Sequence, residues 1–207
     1  MKIYLYPIFL LILFGLALDL HGSFPALGRE VESKISIAEK NFHVASNLEP
    51  TKENIIQILT KKEDESTASI TQAMVVWKLK YANDQQYEKI IDECLSLNSS
   101  ITILYRGAEA LISVDPAKAA KTFLRITDNS KAELGIKLLA VRHLINIKPA
   151  GDYKKIIMEG LTSLNETDQN TAIGILEIIP DKKAVKMIQD EAKNKVDASV
   201  LKKLNSL

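Results

Sequence analysis

From Val31 onward the apolar residues keep helical spacing: Val31, Ile35, Ala38, Phe42 and Ala45 stand four, three, four and three apart, which puts them on one face of a helix. Glu49-Pro50 stops that helix, because proline lacks a backbone donor and holds its predecessor out of the helical region. Thr51 is placed to cap the next one, whose buried face is Ile55, Ile56 and Leu59. The charged run KKEDES at 61–66 then reads as a solvated connector.

After the connector, helical patterns come in pairs: 66–83 with 84–98, 99–115 with 116–129, 130–151 with 152–165, and 166–181 with 182–194. Residues 195–207 remain as a terminal half-unit, and no stretch reads convincingly as a strand. The joins fall at Asn83-Asp84, Asp115-Pro116, Gly151-Asp152 and Asp181. Each aspartate can accept from the unpaired N–H groups that open the second helix, and Pro116 sits where a missing donor costs nothing.

Superposing the units puts Gly107 and Leu111 on Ala140 and Leu144, and then on Ala172 and Leu176, shifts of 33 and 32 residues. A fixed period of that length predicts an all-α fold, an α-solenoid of stacked antiparallel helix pairs. Small residues at Gly107, Ala108, Ala140 and Ala172 would let neighbouring helices approach closely, with the leucines filling the seams.

The amino terminus has a different character. Residues 3–18 carry no charge, follow Lys2 and end at Asp19, the order of a secretory signal. The run is short for a spanning helix, which wants about 20 apolar residues, and Pro7 interrupts it. Cleavage is expected after Gly28, with Ala17 and Gly22 as other ends, and an uncleaved membrane anchor is the alternative. No cysteine stands near to accept a lipid. Asn98-Ser99-Ser100 and Asn165-Glu166-Thr167 match the N-glycosylation acceptor pattern, which matters only in a eukaryotic secretory pathway. The expected organisation is a signal or anchor at 1–28, a helical cap at 29–65 and a repeat domain at 66–207, giving a secreted or periplasmic protein.

Composition and charge narrow the chemistry. The 207 residues are 46% hydrophobic and 26% charged, enough for a sizeable core. With 27 basic against 26 acidic side chains the whole-molecule field gives no reason to expect nucleic acid. Cys94 is the only cysteine, so no intrachain disulfide or multi-cysteine metal site exists, and its place between Ile91 and Leu95 predicts buried packing. His21, His43 and His143 lack metal-ligand or triad spacing, and His143, after Arg142, reads as a residue of a polar helix face. Asp92-Glu93 and Asp190-Glu191 are sequence neighbours and diverge on a helix, which suits them poorly to paired acid–base work. No catalytic centre, cofactor or metal is expected.

Two groups remain as candidate binding residues. Trp77 and Tyr81, one turn apart and preceded by Met74, form a stripe that reads first as core and second as an anchor for a protein partner. Lys118 and Lys121, Lys154 and Lys155, and Lys182, Lys183 and Lys186 all open successive second helices, where the helix dipole disfavours cations. Along one face of an array they would meet an anionic ligand or surface; as solvated lysines they would tolerate the dipole. Asp84, Glu88, Asp92 and Glu93 interrupt the basic series in the first unit.

The segments LYRGAEALISVDPAKAAKTFLRI and AIGILEIIPDKKAVKMIQDEA resemble HEAT-like repeats of the short bacterial kind. Arg106, Ala108, Ala110, Leu111 and Asp115 match one unit, and Leu176, Ile179, Asp181, Ala184 and Val185 another. The resemblance covers about residues 66 to 207. The third unit departs from it, with NIKPAGD lengthening the turn and LAVRHL carrying its arginine late. The tetratricopeptide repeat competes through the Ala119 to Phe123 step, but its Trp, Leu-Gly and Tyr positions do not recur. The HEAT-like resemblance implies a curved array used as a protein-binding scaffold, with second helices lining the concave face. Binding of an anionic ligand, and a lyase-type or enzyme-accessory role, are the alternatives it leaves.

Overall fold

The computed structural model describes residues 30–61, 64–84, 86–96, 99–147 and 151–207. The apolar segment at 3–18, the expected cleavage after Gly28 and the acceptor Asn98 lie outside the described residues. The described residues are all-helical and contain no strand. The helices are α1 (30–46), α2 (Lys52–Thr60), α3 (Thr67–Tyr81), α4 (Tyr87–Cys94), α5 (Ile101–Leu111), α6 (Pro116–Asp128), α7 (Leu134–Ile147), α8 (Lys154–Leu161), α9 (Glu166–Ile178), α10 (Lys182–Ala192) and α11 (Ala198–Leu204). None is long and apolar enough to cross a membrane.

Side-chain caps set most of the helix starts. Thr51 accepts from the Asn54 N–H, Ser66 from Ser69, Ser100 from Ile103 and Asn165 from Thr167. Asp115 takes the Lys118 N–H at 3.1 Å with Pro116 in the first turn, and Asp181 takes two N–H groups of α10. At the other two joins the aspartate stands outside the cap position, Asp84 by two residues and Asp152 by one. Asp84 accepts from Gln86 and Asp152 from Lys154, while Gln86 and Tyr153 occupy the cap positions without side-chain bonds.

The close packings join each helix to neighbours one or two places along the chain: α3 to α2, α4 and α5, α7 to α5, α6, α8 and α9, α8 to α9 and α10, and α11 to α9. The register positions Gly107, Ala140 and Ala172 are buried, as are Leu111, Leu144 and Leu176. A Cβ built on Gly107 would stand 2.8 Å from Leu95 Cδ2, and one on Gly160 would stand 2.9 Å from Ala172 Cβ, so α5 and α8 come as close to their neighbours as glycine permits.

The first stripe is buried only in part. Phe42 is fully enclosed and Ala38 buried, but Val31 is exposed. The contacts that hold α1 explain this, because Ser69 donates to the Ala45 carbonyl at 2.8 Å and Lys80 pairs with Glu39, both in the later part of the helix.

Trp77 is buried in the core against Tyr81, ring centroids 5.5 Å apart, with its indole N–H lacking a hydrogen-bond partner. It is the chain's single tryptophan. Its emission is therefore expected to be blue-shifted and shielded from an aqueous quencher, moving to the red on unfolding; a quencher-accessible native emission would contradict the packing.

Candidate functional site

The lysine series divides into two kinds, and the division answers how cations survive at helix N-termini. Lys118, in the first turn of α6, is buried; its ammonium reaches α4, pairing with Glu88 and with Asp92 at 3.2 Å. Burial alone would lower its pKa, but the two carboxylates outweigh burial and raise it. Lys154, opening α8, pairs with Glu191 of α10 at 2.5 Å, and Lys195 reaches the same carboxylate at 2.9 Å. Lys154 and Lys195 together hold Glu191 down at about 2. At α2 the first-turn Lys52 pairs with Asp84. The unfavourable dipole interaction is thus offset by a carboxylate from elsewhere in the fold. Of the acids that interrupt the basic series in the sequence, Glu88 and Asp92 are partners of it through Lys118, and Asp84 is the partner of Lys52.

Lys121, Lys155, Lys182, Lys183 and Lys186 are the other kind. They are exposed, and among the described residues none takes part in an ion pair. Lys155 stands beside Lys154 on α8, and the other three on α10, the helix packed against α8. Lys121 lies apart from them on α6.

Between α8 and α10 the surface opens into two adjoining hollows of about 430 Å³ each, which share Asp152 and Lys154. The first is walled by the charged side chains Lys155, Glu159, Glu191 and Lys195 around Met158. The second is mostly apolar, with Ile145, Tyr153, Ile157, Ile179, Pro180 and Ile188 in its walls. The join between α7 and α8 makes room for it: Gly151 lies against the Tyr153 ring so closely that a Cβ there would stand 2.3 Å from the phenol. Burial raises the Tyr153 pKa, keeping the phenol a neutral hydrogen-bonding group at the groove. The arrangement can seat an apolar side chain beside a polar strip of mixed charge, and it offers no nucleophile–base pair.

Trp77 is in the core and cannot anchor a partner from the surface; Tyr81, partly buried, packs on it. Cys94 is also buried, its thiol donating to the Leu59 carbonyl. The groove residues Tyr153, Ile179 and Pro180 escape sequence reasoning because nothing in the helical pattern marks a turn residue as a wall. The lengthened NIKPAGD turn and the IIPD join are the signals that precede them.

His143 sits where α5, α6 and α7 meet rather than on an open polar face. Its ring stacks on Phe123 with centroids 4.9 Å apart, is hydrogen-bonded to the Tyr105 hydroxyl at 3.1 Å, and lies 3.6 Å from Glu109. Burial, helped by Arg142 and opposed by Glu109, lowers its pKa. The unfolded chain therefore binds the proton more readily, and this stability contribution is complete above the ordinary imidazole value of about 6.5 and fades as pH falls through the folded value. His143→Gln is expected to flatten that part of the stability–pH curve in urea titrations; an unchanged slope between pH 7 and 5 would refute the assignment.

Comparison of the chain with protein-family models, with curated proteins and with solved structures finds no match.

Proposed function

We propose that the protein is an exported, non-enzymatic α-solenoid of the HEAT-like kind that works as a protein-binding scaffold, with 1–28 as its signal or anchor, 29–65 as a helical cap and 66–207 as the repeat array. The observation that carries this reading is the groove between α8 and α10, an apolar hollow continuous with a polar strip on the second helices. Packing between helices one or two places apart favours it, since an array held by neighbour contacts leaves an extended surface for partners. The joins at Asp115 and Asp181 and the buried small-residue register agree with antiparallel pairs stacked in layers. An apolar pocket with a polar rim is how protein interfaces concentrate their binding energy.

The test is affinity capture from a native envelope or secreted fraction, read by mass spectrometry at low and high salt. A partner retained at high salt by the native protein and lost from Ala184→Arg, which fills the groove from α10, is the expected result. Retention by the variant would exclude the groove. A second reading rests on Lys155, Lys182, Lys183 and Lys186, exposed and without ion pairs, as a patch for an anionic ligand. On that reading the native protein binds anionic vesicles at low salt, and binding collapses with salt and with Lys182→Glu/Lys183→Glu. Binding insensitive to both changes would remove it.

A further inference from the structure

The near-zero net charge conceals a separation along the chain. Residues 30–65, which form α1, α2 and the connector, hold eight acidic and five basic side chains; residues 182–207, which form α10 and α11, hold seven basic and three acidic. Among the described residues these segments terminate the run of helix contacts, with α1 held against α3 and α11 against α9. Both also carry apolar side chains in the open: Ile37 at 57% and Val44 at 76% exposure on α1, and Met187 at 63% on α10. The terminal elements of a repeat array ordinarily present a polar outer face, because no further unit covers them. Here each presents large apolar residues, and the two carry opposite charge.

From this we propose that the protein self-associates head to tail, the acidic α1–α2 end of one copy docking on the basic α10–α11 end of the next. Charge complementarity selects the occupant: two like ends would repel, whereas unlike ends attract and align. Glu32, Glu49 and Glu53 are among the exposed acids of the first end, and Lys182, Lys183 and Lys186 among the exposed bases of the second. Ile37, Val44 and Met187 supply apolar area to be covered once the ends meet. Such a contact joins two different surfaces, so each added copy leaves one end of each kind free and the assembly is open rather than a closed pair. The inference needs only that these helices lie at the two ends of the contact sequence, and it stands independently of any partner in the groove.

Sedimentation velocity of the purified protein across a concentration range tests it. The expected result is an average mass that climbs past the dimer with concentration at low salt and falls back to a single chain at high salt. The acid-end variant Glu32→Lys/Glu49→Lys/Glu53→Lys and the basic-end variant Lys182→Glu/Lys183→Glu/Lys186→Glu, each checked by circular dichroism for native helix content, should be single chains alone. An equimolar mixture of the two should associate, because the reversed end of each then complements the reversed end of the other. A single chain at every concentration, a plateau at the dimer, indifference to salt, or failure of the mixture to associate would each overturn the proposal.

Discussion

Asp115→Ala is expected to destabilise the protein by about 2–4 kcal/mol, combining a lost helix cap, a buried hydroxyl left without its acceptor and a half-buried ion pair. The carboxylate serves three groups. One oxygen accepts the Lys118 N–H that opens α6, and the other accepts from the Tyr87 hydroxyl at 3.0 Å and pairs with Lys78 at 2.9 Å. Tyr87 is almost fully buried, and Lys78 lies over its ring, 4.9 Å from the centroid. Truncation leaves a buried hydroxyl without its acceptor, an ammonium without its counter-charge and a helix without its cap, a loss of about 1 kcal/mol by itself. Asp115→Asn keeps an acceptor for the cap and should recover a large part of the loss. Urea denaturation followed by Trp77 emission and by circular dichroism measures both, and a loss below about 1 kcal/mol for the alanine variant would show that the network does not hold these helices together.

The same network fixes an acid limb. Burial would raise the Asp115 pKa, but the Lys78 ammonium, the Lys118 N–H and the Tyr87 hydroxyl together hold it below the ordinary carboxylate value. The unfolded chain then binds the proton first as pH falls, so the contribution is complete above about pH 3.9 and is lost as pH drops through the folded value. Asp115→Ala should therefore depend less on pH than the native protein below pH 4.

Asp115 also shows how far the sequence could be read. Its capping role follows from an aspartate set before Pro116, because capping is a local interaction with the next few N–H groups. Its tie to Tyr87 and Lys78 spans separate helices and has no local signature. Asp84 and Asp152 show a second limit. Each precedes a segment with an aromatic residue, Tyr87 or Tyr153, that is buried, and in both cases the helix starts later than the aspartate would set it. The lysines show a third. Helical spacing places Lys118 and Lys154 in first turns, but which carboxylate faces them depends on the packing of helices 30 and 37 residues away in sequence, at Glu88 and Glu191. All-helical character and the buried register at Gly107, Ala140 and Ala172 were legible because periodicity is repeated many times over. The groove was not, because it is made by what two neighbouring helices and a turn leave unfilled.

Gly160→Ala and Gly107→Ala should separate although both add one methyl group to a helix. By helix propensity alone each would gain about 1 kcal/mol. At Gly107 the new Cβ meets Leu95 Cδ2 at 2.8 Å and Met74 Sδ at 3.1 Å, the far ends of side chains that can rotate away. The propensity gain and the repacking loss nearly cancel, and the net change is expected within about 1 kcal/mol of zero. At Gly160 the new Cβ meets Ala172 Cβ at 2.9 Å as well as both methyl groups of Leu138. Leu138 can turn, but Ala172 has no rotamer to change, so the methyl can be accommodated only if α8 and α9 move apart. That separation would loosen the buried residues Ile157, Leu161 and Ile173 that the two helices contribute to the core. A net loss of about 1–3 kcal/mol is expected for Gly160→Ala, and more for Gly160→Val, whose branched side chain forces the helices further apart. Urea midpoints of the three variants decide the matter: a Gly160→Ala protein as stable as Gly107→Ala would mean that α8 and α9 are not packed as closely as the 2.9 Å approach requires.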